Sequence, residues 1–234
     1  MKKIILLLFA VAGAVSTLTA FTFTFQGGHV YTDVATDDVS AHDELIYPAF
    51  PPSATIDATD DTGNFSRTQI SHTGSGDHVT LSFDFSQQRA GTPGLDFAGM
   101  SAGVSFSVSS AVSYTLSGYG VLSGFGYMTV ELDDSSIPRV VAQNIQYGNG
   151  ETITIGQLDE YAFGPLSGTL IPGHDYWVAF EAGTYPTGRN GDGGGTMTGN
   201  FTLTLNAVPE STSVLTLMGF SLLGLVATRR WFLR

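Results

Sequence analysis

The sequence predicts an all-β protein, a jelly-roll-like β-sandwich, and three observations carry that expectation. Apolar and polar residues alternate in one segment after another, which is the period of a strand with one buried and one solvated face. The 234 residues include 29 glycines and nine prolines, spread through the central part of the chain so that no long helix fits there. The chain has no cysteine, so a central stretch of roughly 185 residues must hold itself by packing alone, and a chain of that size can bury about 70% of its unfolded surface.

Taken in order, His78 to Ser86 sets Val79, Leu81, Phe83 and Phe85 against Thr80, Ser82 and Asp84. Gly103 to Ser109 repeats the pattern with Val104, Phe106 and Val108, and Val112, Tyr114 and Leu116 make a further set. Tyr127, Thr129 and Glu131 oppose Met128, Val130 and Leu132. Arg139 to Gln146 and Glu151 to Ile155 are rich in β-branched residues, which favour strands. Asp175 to Glu181 aligns Tyr176, Val178 and Phe180, and Asn200 to Asn206 aligns Phe201, Leu203 and Leu205. About eight or nine short strands at this spacing suit a sandwich. The expected core includes Leu81, Phe83, Val104, Phe106, Val178, Phe180, Leu203 and Leu205. Asp33 to Gly63, with Pro48, Pro51, Pro52 and eight acidic residues, is too polar and broken for a central strand. Thr184 to Gly199 reads as a Gly-rich loop. Leu170, Pro172, Gly173 and Tyr176 follow a Leu-x-Pro-Gly-x-x-Tyr spacing that resembles a strand start of exported bacterial jelly rolls.

Both ends carry targeting signals. Lys2 and Lys3 precede an apolar run from Ile4 to Val15, with small residues following to Ala20. That is the order of a signal peptide, cut after Ala20 or after Ser16. At the other end Val208, Pro209 and Glu210 open a patch, Val214 to Thr228 is uncharged and mostly apolar, and Arg229 and Arg230 close it. The 15-residue run would span about 22 Å as a helix, short of a ~30 Å hydrocarbon core unless Thr212, Ser213 and the arginines extend it. The arginines would keep the carboxyl end cytoplasmic. The organisation is therefore residues 1–20 as signal peptide, 21–206 as a sandwich domain, and 207–234 as a tail with one transmembrane helix.

This tail resembles the PEP-CTERM sorting signal of exosortase substrates, with Ser211 standing where the family has a second proline. The resemblance implies an envelope or extracellular-matrix protein of a Gram-negative bacterium that makes exopolysaccharide. It implies a signal peptidase and an exosortase-like enzyme as processing partners, and passage through the inner membrane before the cell surface or medium. The sorting residues would be Val208, Pro209, Glu210, Arg229 and Arg230.

From Phe21 to Glu210 lie four arginines, no lysine and all 21 acidic residues, a net charge of −17. Such a surface repels nucleic acid and anionic membranes and tolerates divalent cations. Asp57, Asp60, Asp61 and Asn64 surround the Gly63 turn, an oxygen-rich set that suits Ca²⁺ as the one candidate cofactor, with Asp192 a weaker second position. His72 and His78 flank a turn with Asp77 and offer a loose zinc pattern.

Catalytic motifs are incomplete, so no enzyme is expected. Gly99-Met100-Ser101-Ala102-Gly103 has the spacing of a nucleophile elbow, but a strand pattern follows the serine where a helix is needed. Glu131 and Asp133 share a strand face, yet Ser136 stands where a second glutamate would complete a glycosidase set. Tyr119, Phe125, Tyr127, Trp177 and Tyr185 are available to stack on sugars, with packing the favoured role for Trp177. The expected role is structural or adhesive and associated with exopolysaccharide, the alternative being a carbohydrate-binding module.

Overall fold

The computed structural model describes residues 20–35, 40–90, 97–137, 139–156, 162–185 and 194–208. They form strands β1 (Phe23–Ala35), β2 (Ser40–Tyr47), β3 (Ser53–Thr59), β4 (Phe65–Ser75), β5 (His78–Arg89), β6 (Phe97–Val108) and β7 (Val112–Ser123). These are followed by β8 (Phe125–Asp134), β9 (Arg139–Asn149), β10 (Thr152–Thr154), β11 (Ser167–Leu170), β12 (Asp175–Tyr185) and β13 (Gly195–Ala207). Of the sorting residues only Val208 is described, its amide donating to the Ala111 carbonyl at 3.3 Å. Pro209, Glu210, Arg229 and Arg230, the signal peptide before residue 20 and Asp192 lie outside the described residues.

Two antiparallel sheets face each other, as the alternation predicts. One has six strands in the order β2-β1-β6-β12-β8-β9, the other the order β10-β7-β13-β5-β4-β3 with β11 added beside β7. Strands β6, β7 and β8 pass from sheet to sheet in succession, as do β12 and β13, which gives the sandwich its jelly-roll-like wrapping. All eight expected core residues are buried, at 0% exposure. Phe180 on β12 meets Phe83 on β5 and Phe201 on β13 at 5.1 and 5.3 Å between ring centroids, joining the two sheets.

Four strands go beyond the sequence expectation, and each has a physical cause. In β1 the register with β6 shifts between Phe25 and Gly27. This bulge reverses the inside–outside phase, so Phe23 and Phe25 share the inner face with Val30, Thr32 and Val34 despite their odd and even numbers. In β4 the inward positions Ser66 and Thr68 are polar yet fully buried, so no apolar period marks the strand. Ser66 donates to the Gly99 carbonyl at 2.7 Å, and the Thr32 hydroxyl donates to that of Thr68 at 3.3 Å. The polar segment from Asp33 to Gly63 supplies β2 and β3, one at the edge of each sheet. The Gly-rich stretch after Thr184 is shorter as a loop than expected, because β12 runs to Tyr185 and β13 begins at Gly195.

The Leu-x-Pro-Gly-x-x-Tyr segment sets the start of β12. Gly173 turns at φ +81°, a conformation that disfavours a side chain. The buried Tyr176 hydroxyl donates to the Ile171 carbonyl at 3.2 Å and accepts from its amide at 3.0 Å, clamping the turn to the strand it opens.

Candidate functional site: the outer face of the six-stranded sheet

The two outer faces differ in chemistry. Most outward positions on the β7-β13-β5-β4 face are hydroxyl or amide: Thr115, Thr204 and Thr80 form one row, and Ser117, Thr202, Ser82 and Ser71 the next. Tyr119, one of the aromatics available for sugar stacking, lies on this face beside Asn200.

On the six-stranded sheet, period-two placement sends the aromatic and acidic residues outward together. At one end, Phe97 (β6), Tyr185 (β12) and Phe125 (β8) occupy one row, with Tyr127 (β8) and Tyr147 (β9) beside them in the next. Tyr127 stacks on Tyr185 at 5.2 Å and 21°, Phe97 lies 5.6 Å from Tyr185, and Phe125 lies 6.2 Å from Tyr147 at 12°. Tyr147 is 49% exposed and Tyr185 38%, so the cluster faces water. Gly99 and Gly183 make room for it: a Cβ on Gly99 would come within 2.2 Å of the Phe97 ring, and one on Gly183 within 2.6 Å of both Phe97 and Tyr127. Phe97 therefore lies over Gly99 and Gly183, and Tyr127 over Gly183.

At the other end, Trp177 lies across Gly103. A Cβ there would fall 2.0 Å from the indole and 3.0 Å from His29, whose ring lies 5.7 Å from that of Trp177. Trp177 thus packs on the outer face, over a glycine, and not in the core. Substituting Gly103 with Val is expected to lift the indole, red-shift its emission in a Trp231→Phe background, and cost roughly 1–3 kcal/mol of stability by overpacking. Unchanged emission would show that the ring does not rest on that glycine.

Between the two aromatic ends run carboxylates. Glu181 accepts a short hydrogen bond from the Tyr127 hydroxyl. Burial, and then that bond and the charge of Glu181, hold the Tyr127 phenol well above its ordinary pKa. Glu131 is opposite Ala179 and accepts from Gln143 Nε2 at 2.9 Å. Asp133 is opposite Trp177, and its Oδ1 is shielded from water without a hydrogen-bond partner. Burial raises the Asp133 carboxyl above the usual aspartate range, and the charge of Glu131 adds to the rise. From Trp177 to Tyr185 the track covers nine residues of β12, about 26 Å of extended strand.

No protein-family model matches the chain, and no curated protein is similar to it. Among solved structures, the chain is similar to one described as "CBM4 structure and function", at 11% identity over 60% of this chain and 78% of that one, with a TM-score of 0.24. It is also similar to a family 11 carbohydrate-binding module from Clostridium thermocellum in complex with a mixed-linked tetrasaccharide, at 13% identity over 76% and 98% of the two chains and a TM-score of 0.22. The infectious bursal disease virus VP2 subviral particle aligns at 10% identity with a TM-score of 0.31, this chain covering 58% of that one and 80% of itself being matched. These are likenesses of β-sandwich architecture at low identity.

The other sequence candidates are placed as follows. Ser101 lies inside β6 at an outward position opposite Tyr31 and Glu181, with strand on both sides and no helix after it. Ser136 accepts the Asp175 amide at 2.8 Å in the turn after β8. His72 and His78 do not meet: His72 pairs with inward Leu81 and packs on Phe50 at 6.0 Å, while His78 points outward to Asn206 at 2.7 Å and Thr80 at 3.0 Å. Among the described residues no three His, Asp or Glu side chains gather as metal ligands.

The calcium candidates form a turn closed by the protein's own donors. Asp60 Oδ1 accepts from the Thr62 amide and hydroxyl and the Asn64 amide at 2.7–3.0 Å, and Oδ2 accepts from Asn64 Nδ2 at 2.7 Å. Asp57 is instead paired with Arg67 at 2.9 Å, and Asp61 is exposed. A cation would have to displace N–H and O–H donors beside a guanidinium-bearing pair, so this donor set does not fit Ca²⁺.

Sequence reasoning missed Phe97, Tyr147, His29 and Tyr31 on the aromatic face. The signal was present in the parity of Phe125, Tyr127, Trp177 and Tyr185 together with the outward glycines, but it required the register between strands.

Proposed function

We propose that the chain is an exported surface or matrix protein whose sandwich binds polysaccharide through the outer face of the six-stranded sheet. The observation that carries this is the track of outer-face rings at both ends of β12 with carboxylates and Gln143 between them. Pyranose rings have apolar faces that stack on aromatic faces and equatorial hydroxyls that donate to carboxylates and amides. The hydroxyl-covered opposite face lacks such a platform. Replacing Tyr185 by Ala in the full chain is expected to weaken retardation in polysaccharide-loaded native gels by about tenfold, since one such stack is worth about 1 kcal/mol or more. Replacing Tyr119, on the opposite face, should change nothing. Equal effects of the two would place binding elsewhere.

Export and the PEP-CTERM-like tail give this face its setting. In the proposed route a signal peptidase removes the leader, the tail holds the chain in the inner membrane, and an exosortase-like enzyme cuts at Pro209-Glu210. Intact-mass measurement on the protein from its own cells is expected to find the carboxyl end near Glu210. Recovery with Trp231 to Arg234 attached would overturn processing.

A further inference from the structure

The charge on the outer face of the six-stranded sheet is one-sided. Asp33, Glu44, Glu131, Asp133, Asp175 and Glu181 occupy its outward positions. Among the described residues that sheet has a single Lys or Arg, Arg139, at the first position of β9 and across from inward-facing Asp134. The other described arginines are elsewhere: Arg67 pairs with Asp57 on the opposite sheet, and Arg89 is buried at the end of β5. Two of the six carboxylates have a shielded oxygen without a hydrogen-bond partner, Asp33 Oδ1 and Asp133 Oδ1. Burial raises the carboxyls of both, against the pull of His42 for Asp33 and with the push of Glu131 for Asp133. A neutral sugar hydroxyl can satisfy such an acceptor, but a cationic donor satisfies it and neutralises the surrounding field as well.

We propose that this face takes an amine-bearing polysaccharide, a polymer of glucosamine-type units whose protonated amines lie against Glu131, Asp133 and Glu181 while their rings stack toward Trp177 and Tyr185. The proposal rests on the polysaccharide-binding reading above and adds the ligand's charge. The aromatic ends favour a sugar over a cationic peptide, because they are separated along one strand and built over glycines. They also suit ammonium groups, which aromatic faces attract. Uronic-acid polymers are excluded by the same field.

The test uses the full chain and isothermal titration with three oligosaccharides of equal length. These are a β-1,4-glucosamine hexamer, its fully N-acetylated form, which keeps the backbone and loses the charge, and an oligogalacturonate. The glucosamine hexamer is expected to bind at least about tenfold tighter than the acetylated one, and the galacturonate not at all. The preference should shrink in high salt. Glu131→Gln and Glu181→Gln, which keep side-chain shape, are each expected to reduce that preference several-fold. Asp84→Asn, on the opposite sheet, removes the same charge and should leave it unchanged. Equal binding of charged and acetylated hexamers, lost in both with Tyr185→Ala, would overturn the cationic preference and leave the sugar reading standing. No binding of either hexamer or of neutral glucans would overturn both. An equal loss with Asp84→Asn would assign the attraction to net charge, and equal capture of an oligolysine would assign the face to cations in general; either result sinks the proposal.

Discussion

Replacing Phe180 by alanine is expected to destabilise the sandwich by about 3–5 kcal/mol, a cost set by lost burial plus the cavity left behind. Phe180 is fully buried on β12, a central strand of the six-stranded sheet, and its ring meets Phe83 and Phe201 from the other sheet. It is therefore part of the contact by which the sheets recognise each other, and neighbours held in their own ladders cannot collapse into the space it leaves. For a domain of this size the change corresponds to a fall in Tm on the order of 10 °C. Urea unfolding checks it: the midpoint should drop while the slope stays constant. Phe180→Leu, which refills most of the volume, should cost less than about 1.5 kcal/mol. A loss below about 1 kcal/mol for the alanine variant would show that the two sheets are not joined through this ring.

Phe180 also shows what was legible. It stands in a segment where every second residue is large and apolar, so both its strand and its burial follow from spacing alone, as they do for Leu81, Val104 and Leu203. The same rule fails wherever the inward residue is polar. Ser66 and Thr68 are buried because the facing sheet satisfies them, the Gly99 carbonyl accepting from Ser66 and the Thr32 hydroxyl donating to Thr68, and those partners are far away in sequence. Gln87 likewise donates to the Ala182 carbonyl at 2.9 Å, and Thr184 to that of Ala98 at 3.2 Å. This polar end of the interior lies beneath the aromatic cluster. The site was half legible for a related reason. The spacing puts Tyr127 and Tyr185 on the outer face, but their contact depends on the β8–β12 register, and the room for the cluster depends on which glycines fall opposite them.

The turn around Asn64 is where the sequence suggested an ion and the structure supplies protein donors, and the largest polar effect on stability is expected there. Asn64 is fully buried. Its Nδ2 donates to Asp60 Oδ2 at 2.7 Å and to the Thr62 hydroxyl at 3.0 Å, while its Oδ1 accepts the Ala90 amide at 2.9 Å. The network thus ties the β3–β4 turn to the end of β5. Asp60→Ala removes the shared acceptor and leaves the Asn64 amide groups inside without partners, a cost of roughly 2–3 kcal/mol. Asp60→Asn should cost less, because a carbonyl oxygen still caps the turn. Acidity gives an independent check. Burial alone would raise the Asp60 carboxyl, but the hydrogen bonds from Thr62 and Asn64 together outweigh it and hold the group below its ordinary 3.8. A carboxylate held below its unfolded value stabilises the fold fully above that value and loses its contribution as pH falls through the folded one. The stability difference between the native chain and Asp60→Asn should therefore be constant from neutral pH down to about pH 5 and shrink below pH 4. Melting in millimolar Ca²⁺ and in chelator should coincide, because the carboxylate's acceptor positions are taken by N–H and O–H donors. A rise in Tm with Ca²⁺ that disappears in Asp60→Asn would show that the ion displaces those donors and that this turn is a metal site after all.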